Sequence, residues 1–347
     1  MVAGGLRHRN ERKSPAMISI FLYAANAVLP IVLLIALGYF LRQRRFYDEK
    51  FLKTANKLGF RVALPMLLFF NVYEIDGISS INWSTVGYAV GAILVLFVVG
   101  LVAVMLFVRE PKQKGVILQS AFRSNFAIIG IPLAQALGGD STLAVVSVLS
   151  AFSIALFNVL AVISLTVFIK DGENEKPSVK SIAVKIIKNP LIIAICLGLL
   201  CLVARSFISG FTIKNQLPFL YSAISTVAKM ASPLMLIVLG GQFSFEAISS
   251  LKKQIAFGTL LRIVIAPVIG VSCAILFTKA GLFSFGSDDY AAFVAVFGSP
   301  IAVSSAVMAA EMHNDEQLAG QLVVWTSIGS VLTVFVGVVI LKSLNLL

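Results

Sequence analysis

Residues 123–133 read Arg123-Ser124-Asn125-Phe126-Ala127-Ile128-Ile129-Gly130-Ile131-Pro132-Leu133, and residues 297–306 read Phe297-Gly298-Ser299-Pro300-Ile301-Ala302-Val303-Ser304-Ser305-Ala306. Both stretches lie in apolar runs, yet each contains a proline, which interrupts a helix. An interrupted helix exposes backbone polar groups, so a break inside a membrane is tolerated only within protein or beside a cavity. Two breaks at matching places in two halves of a chain are typical of secondary transporters, which bind substrate between them.

The composition is that of an integral membrane protein. The 347 residues are 59% hydrophobic and 13% charged, whereas soluble domains carry roughly 25% charged residues. Because stretches such as residues 88–108 are apolar on every side, a soluble protein built of amphipathic helices is disfavoured. Apolar runs of about 20 residues, each long enough to cross a bilayer, predict about ten spans, at residues 17–41, 52–73, 84–108, 115–137, 141–169, 189–206, 217–241, 254–278, 289–311 and 318–342.

The net charge of +12 would suit a nucleic-acid partner, but the distribution of the cations argues against one. Sixteen of the 28 Lys and Arg residues lie in the first, third, fifth and seventh predicted loops, and three lie in the even-numbered loops. The positive-inside rule places the odd-numbered loops in the cytoplasm, so that ten spans leave both chain ends outside. We therefore expect a multi-pass protein of the plasma membrane, with the lipid bilayer as its partner and no nucleic acid.

The predicted spans form two halves. Arg61-Val62-Ala63-Leu64-Pro65 resembles Lys229-Met230-Ala231-Ser232-Pro233, and the broken fourth span corresponds to the broken ninth. Since five spans is an odd number, the second half enters the membrane from the opposite side, which is the inverted-repeat design of many carriers. The predicted domains are a basic tail (1–16), a first five-helix repeat (17–170), a cytoplasmic linker (171–188) and a second repeat (189–347).

Two segments outside the spans qualify this topology. The basic tail prefers the cytoplasm, against the orientation predicted above, and a start at Met17 rather than Met1 would remove that conflict. Residues 179–188 alternate apolar and basic positions in the pattern of a helix lying on the membrane surface.

The sequence carries no apparatus for enzyme chemistry. Its three cysteines lie in apolar runs without metal-ligand spacing, and neither an HExxH motif nor a Walker loop is present. We therefore expect no enzymatic activity, no metal and no cofactor. The coupling ion stays open: the span centres lack the carboxylates of a proton relay, whereas sodium needs only neutral oxygens. Five side chains could supply them: Asn71, Gln119, Gln135, Asn158 and Gln242.

The candidate substrate site is the place where the two breaks meet, because freed amides and helix N-termini favour anions. Asn125 can hold a carboxylate or cap the broken helix. Four serines offer hydroxyls, or pack helices as serine commonly does in membranes: Ser124, Ser299, Ser304 and Ser305. Three residues would shape the breaks: Gly130, Pro132 and Pro300.

Four cations lie inside predicted spans, where a charge costs at least ~2.5 kcal/mol at a helix centre and indicates function. Arg61 and Arg123 are near enough to a cytoplasmic end to extend out of the membrane instead, and Arg262 also lies nearer such an end. Lys229 lies about 18 Å into its span at 1.5 Å per residue. Arg61, Arg123 and Lys229 are therefore candidate substrate-binding cations.

At these residues the chain resembles the auxin efflux carrier family. Asn125 followed by Gly130-Ile131-Pro132-Leu133 and Gly138-Gly139 is similar to the fourth span of that family, and residues 299–311 are similar to its ninth. The family includes plant auxin exporters and bacterial carriers for malonate, malate and similar acids. Because the long central loop of many plant members is absent, the bacterial organic-acid branch is the closer match.

The resemblance implies an all-α fold with two bundles. Spans 1, 2, 6 and 7 would form a scaffold that dimerises, and spans 3–5 and 8–10 a moving bundle in which broken spans 4 and 9 cross. The sequence thus predicts a secondary active transporter of small organic anions, chiefly carboxylates, working by alternating access. A channel would need a ring of repeated filter residues, and a non-transporting receptor would leave the two breaks without a purpose.

Overall fold

The structure is a computed structural model that describes residues 29–74, 82–169, 179–207 and 212–347, and these residues form helices and no strands. The helices of the first half are α1 (Leu29–Gln43), α2 (Glu49–Leu58), α3 (Leu64–Tyr73), α4 (Trp83–Phe107), α5 (Pro111–Phe122) and α6 (Ile131–Val167). Those of the linker and second half are α7 (Val179–Ile187), α8 (Pro190–Phe207), α9 (Ile213–Gln216), α10 (Pro218–Gln242), α11 (Glu246–Leu260), α12 (Ala266–Lys279), α13 (Ser287–Gly298), α14 (Ser304–Glu311) and α15 (Glu316–Ser343).

The helices are apolar enough for a polytopic membrane protein. Five helical segments have the length and composition to cross a membrane: Trp83–Phe107, Phe126–Val167, Pro218–Gln242, Glu246–Lys279 and Glu316–Ser343. Two further apolar helices are shorter, namely Leu29–Gln43 and Pro190–Arg205. The count of ten spans and the inverted repeat stay predictions, and the tail (1–16), residues 17–28 and residues 170–178 lie outside the described residues.

Three π turns widen the helices just before prolines. Each spans five residues and ends two positions before a proline: Gly59–Ala63 before Pro65, Phe126–Gly130 before Pro132, and Leu261–Ile265 before Pro267. A proline has no N–H to donate, and its ring clashes with the carbonyl one turn earlier. A wider turn relieves that clash while the chain stays helical, so these prolines distort their helices without ending them.

The break in the fourth span therefore lies elsewhere than expected. Pro132 is the second residue of α6, and the backbone is helical from Phe126 onward. The chain leaves the helix earlier, at residues 123–125, between the end of α5 and the π turn. The expectation that Pro132 interrupts the helix is wrong, because the π turn before it accommodates a residue without an N–H and the chain stays helical. Pro300, by contrast, lies inside the second break, between α13 and α14.

The predicted fourth and fifth spans are joined by a kink rather than a loop. Helical structure continues to Val167, but Gly139 has φ 77° and ψ −152°, which is outside the helical region. A positive φ is strained for residues with a side chain, so glycine suits this position. The linker helix is also present, since α7 covers Val179–Ile187, as the amphipathic pattern predicts.

The helices pack as two groups, which follow the division that the family resemblance implies. In the first group, α3 packs against α8 and α10, and α1 packs closely on α10. A Cβ on Gly38 would lie 2.0 Å from the carbonyl oxygen of Ile237, and one on Gly240 would lie 2.0 Å from that of Ile35. In the second group, α4, α5 and α6 pack together with α11 to α15. The two broken segments lie in the second group and face the first.

Candidate functional site

The two broken segments cross each other inside the second group. Ser124 and Ile301 form an antiparallel bridge, and the backbone N–H of Asn125 donates to the carbonyl of Pro300 over 2.8 Å. The N–H of Ile301 donates in turn to the Thr326 hydroxyl of α15 over 3.2 Å. Each break therefore satisfies part of the backbone that the other exposes, which is what an interruption inside a membrane requires.

A small cavity lies beside this crossing, between the two helix groups. Its volume is about 60 Å³, enough for water and well below the ~300 Å³ of the smallest ordinary ligand pockets. Its walls come from both breaks, from α6, and from the first group through α3 and α10. Polar side chains in these walls are Asn71, Arg123, Ser124, Asn125, Asn158, Ser232 and Ser304.

Arg123 is fully buried at the first break. Its exposed fraction is 1%, which excludes the alternative that its side chain extends to the membrane surface. The guanidinium donates to Gln119 Oε1 over 2.6 Å, Asn158 Oδ1 over 3.0 Å and Ser304 Oγ over 2.8 Å, and it contacts Met308 Sδ at 2.9 Å. All four partners are neutral, so within the described residues the charge is hydrogen-bonded but not paired with an anion.

Asn125 presents an unused amide to the cavity. It stands at the N-cap position of the helix that follows, but its side chain makes no cap hydrogen bond. Its Nδ2 is buried and has no hydrogen-bond partner within the described residues, and the same holds for Asn71 Nδ2 and Ser124 Oγ in the same walls. The capping alternative therefore fails. Buried polar groups without protein partners indicate a place for water or ligand.

Arg262 stabilises the backbone at the second break through hydrogen bonds. This residue lies in the π turn between α11 and α12, with an exposed fraction of 0%. Its Nε donates to the carbonyl of Ser299 over 2.8 Å, and its Nη2 donates to those of Val296 and Phe297 over 3.0 and 2.8 Å. These carbonyls end α13, so the cation lies at the negative end of the helix dipole and satisfies its last acceptors.

The structure separates the residues that the sequence proposed into three sets. Those that line the cavity are Arg123, Ser124, Asn125 and Ser304. Those that lie in or next to the two broken segments without lining the cavity are Gly130, Pro132, Ser299, Pro300 and Ser305. Those that are exposed and lie outside the cavity walls are Arg61 and Lys229.

Individual members of the second set show how they build the crossing. The hydroxyl of Ser299 donates to the carbonyl of Ala295 over 2.6 Å, which fixes it within its own helix. A Cβ on Gly130 would lie 2.8 Å from that same carbonyl oxygen, so the glycine permits close approach of the two segments. These contacts agree with the expectation that Gly130 shapes the break.

Sequence reasoning underestimated two features of the site. From the sequence alone, Arg262 had no predicted role in the substrate site. Nothing in its local pattern indicated contact with α13, whose contacting residues are 34 to 37 positions away in the chain. The partners of Arg123 had a partial signal, because Gln119 and Arg123 lie four residues apart on one helix face. Among the described residues, no cluster of His, Cys, Asp and Glu could hold a metal ion.

Comparison with known proteins agrees with this architecture. The model of the family described as membrane transport protein matches residues 23–338, which is most of the chain. No curated protein sequence matches the chain. The resemblance to the auxin efflux carrier type is thereby confirmed at the level of the family, and the family is one of transporters rather than enzymes. With its crossed broken helices and apolar helix groups, the chain belongs to the membrane transport protein family and is a membrane transporter.

Proposed function

We propose that this transporter is a secondary active carrier of small organic anions, chiefly carboxylates, as in the bacterial organic-acid branch, and that it resides in the plasma membrane. The observation that carries the proposal is the buried guanidinium of Arg123, which lines the cavity beside the unused amide of Asn125 and has only neutral partners. A charge buried without an ion pair is unfavourable, and an anionic substrate would supply the missing partner.

The second guanidinium strengthens the preference for anions. Arg262 is buried on the far side of the second break, and its Nη1 has no hydrogen-bond partner within the described residues. Two cations near one crossing raise the electrostatic potential there, since the interior has a low effective dielectric. A carboxylate offers two acceptor oxygens, which suits the amide of Asn125 and the hydroxyl of Ser124.

The position of the cavity between the two helix groups supports alternating access as the mechanism. Three hydrogen bonds link the groups at the end predicted to be cytoplasmic: Asn56 Nδ2 to Glu311 Oε1 over 3.0 Å, Gln317 Nε2 to the carbonyl of Gln242 over 3.2 Å, and Gln321 Nε2 to the carbonyl of Ser244 over 2.7 Å. Because the cavity is smaller than a ligand pocket, the groups must separate to admit substrate. Breaking these three contacts would open the site toward the cytoplasm.

The proposal retains two features of the sequence prediction. Exposed apolar residues such as Leu33 of α1, Leu200 of α8 and Phe219 of α10 give the first group a surface for a homodimer within the bilayer. The coupling ion is sodium or a proton, because a secondary carrier draws on an ion gradient.

Uptake into proteoliposomes tests the proposal. We expect saturable uptake of radiolabelled malonate, and no uptake of the neutral diamide of the same size. Sodium and proton gradients, imposed separately, identify the coupling ion. Flux that rises linearly with substrate concentration would favour an anion channel, and binding without flux would favour a receptor. Equal transport of the diamide would refute the role of charge.

A further inference from the structure

A second cavity lies where α4 ends, and it shares no lining residue with the cavity at the crossing. Its volume is about 610 Å³, and it is formed by the end of α4, the start of α5 and the middle of α11. It has an apolar side and a charged side. The lining residues are Phe107, Val108, Arg109, Glu110, Gln113, Ile117, Lys253, Gln254 and Phe257.

The apolar side continues a lipid-facing surface. Helix α4 has 25 residues, about 37 Å at 1.5 Å per residue, which is sufficient to cross a bilayer. Its outward residues are exposed from Val98 through Val102 to Phe107, the last residue of the helix. Phe107 packs edge-on against Phe257 of α11, with ring centroids 5.8 Å apart. The cavity therefore opens where the hydrocarbon region ends and the head groups begin.

The charged side holds two unpaired cations. Arg109 and Lys253 are both exposed, and within the described residues neither side chain makes a hydrogen bond or an ion pair. The carboxylate of Glu110 also lines the cavity, so the lining carries two positive charges and one negative charge. The glutamines at the floor are already occupied, because Gln254 Nε2 donates to Gln113 Oε1 over 3.2 Å and Gln113 Nε2 donates to Asp315 Oδ2 over 3.0 Å.

The geometry points to a binding site for an anionic phospholipid. Its phosphate lies between Arg109 and Lys253, and one acyl chain lies against Phe107 and Phe257. Guanidinium groups bind phosphate with paired hydrogen bonds, and basic pockets between membrane helices select acidic head groups. Free phosphate would contact the two cations only. A phospholipid would also contact the apolar lining between the cations and the bilayer, and this additional contact favours the lipid.

Binding of this lipid would couple the two halves of the chain. The cavity is built by α4 and α5 from the first half and α11 from the second, and all three belong to the helix group that contains the crossing. A lipid held there touches both halves at once, so we expect it to stabilise that group.

Native mass spectrometry of the purified protein tests the site, with phosphatidylglycerol and phosphatidylcholine as probes. We expect phosphatidylglycerol to bind more tightly, and Arg109→Gln/Lys253→Gln to weaken its binding by about 25-fold, since each cation near an acidic head group contributes about fivefold. The matched control is Lys50→Gln/Lys57→Gln, which removes the same charge from exposed positions of α2 at the same predicted membrane face. It should leave the binding unchanged.

A third variant separates lipid from free phosphate. Phe107→Ala should weaken phosphatidylglycerol binding while leaving the binding of inorganic phosphate unchanged. All the substituted side chains are exposed, so the variants should keep the thermal stability of the unmodified protein. The proposal is overturned if both lipids bind equally, if the control loses as much affinity as the double variant, or if Phe107→Ala has no effect on the lipid.

Discussion

The two breaks differ in how their polar groups are used. At the first break, the guanidinium of Arg123 bonds only to side chains, and the amide of Asn125 has no partner within the described residues. At the second break, Arg262 holds three main-chain carbonyls and the hydroxyl of Ser299 is bound within its own helix. The first break thus offers groups to a ligand, while the polar groups of the second maintain the backbone.

The difference teaches that an irregular backbone is not by itself a binding site. Both breaks leave the helix inside an apolar segment, and both have a buried arginine beside them. The charge of Arg262 lies at the C-terminal end of α13, where a cation is favourable. The charge of Arg123 meets only neutral dipoles. We therefore expect the two arginines to respond differently to the same substitution.

The largest effect is expected from Arg262→Gln on stability. Glutamine cannot reach all three carbonyls, and each buried acceptor left unpaired costs about 1–3 kcal/mol. We expect the free energy of unfolding to fall by about 3 kcal/mol or more, seen as a lower Tm in detergent. Lys279→Gln, at the exposed end of α12, is the control. If Arg262→Gln kept a normal Tm but lost anion binding, Arg262 would be an anion-binding residue rather than a support for the backbone.

Arg123→Gln should lower anion affinity more than stability, whereas Arg262→Gln should lower stability more than anion affinity. Removing the charged partner of a buried anion costs about 2–5 kcal/mol, a loss of about thirtyfold or more in malonate affinity by calorimetry. Stability should be unchanged or higher, because an unpaired buried charge is itself unfavourable. Arg123→Lys keeps the charge and should keep part of the affinity. Equal affinities for wild type and Arg123→Gln would show that the site does not depend on this cation.

Asn125→Ala tests whether the amide of Asn125 binds substrate, in comparison with the amide of Asn82, which caps a helix. We expect malonate affinity to fall by about 1–3 kcal/mol, because a hydrogen bond to the ligand is lost. The matched control is Asn82→Ala: Asn82 Oδ1 accepts the N–H of Ser84 at the start of α4 over 3.1 Å. Its loss should lower stability by about 0.5–2 kcal/mol and leave affinity unaltered. If Asn125→Ala lowers only the Tm, Asn125 acts in structure alone.

The smallest effect concerns the equivalent cations of the two predicted repeats. Arg61 and Lys229 are exposed, so we expect them to concentrate anions at the two entrances rather than bind substrate. Replacing Lys229 by Gln should slow uptake from the outside about two- to threefold at low salt, and replacing Arg61 should slow uptake from the inside similarly. Initial rates in oriented vesicles measure this. Equal losses from both sides would mean that the residues have packing roles.

Prolines show where prediction from sequence succeeded and where it failed. Pro300 lies in a break, as a proline within an apolar run predicted. Pro132 lies in a helix after a π turn, as do Pro65 and Pro267. The local chemistry is the same in each case, because proline always lacks its N–H. Whether the helix widens or ends depends on which neighbours can satisfy the freed carbonyls, and that is a property of the packed structure.

The sequence by itself determined the apolar helical architecture, the two irregular segments and the family, because span length and composition follow from the bilayer as solvent. Only the tertiary structure decided that Arg123 is buried among neutral partners, that Asn125 does not cap its helix and that Arg262 supports the second break. The rise of a helix gives the depth of a residue from sequence alone. The direction of its side chain, and the group that it meets there, depend on contacts between helices that are distant in the chain.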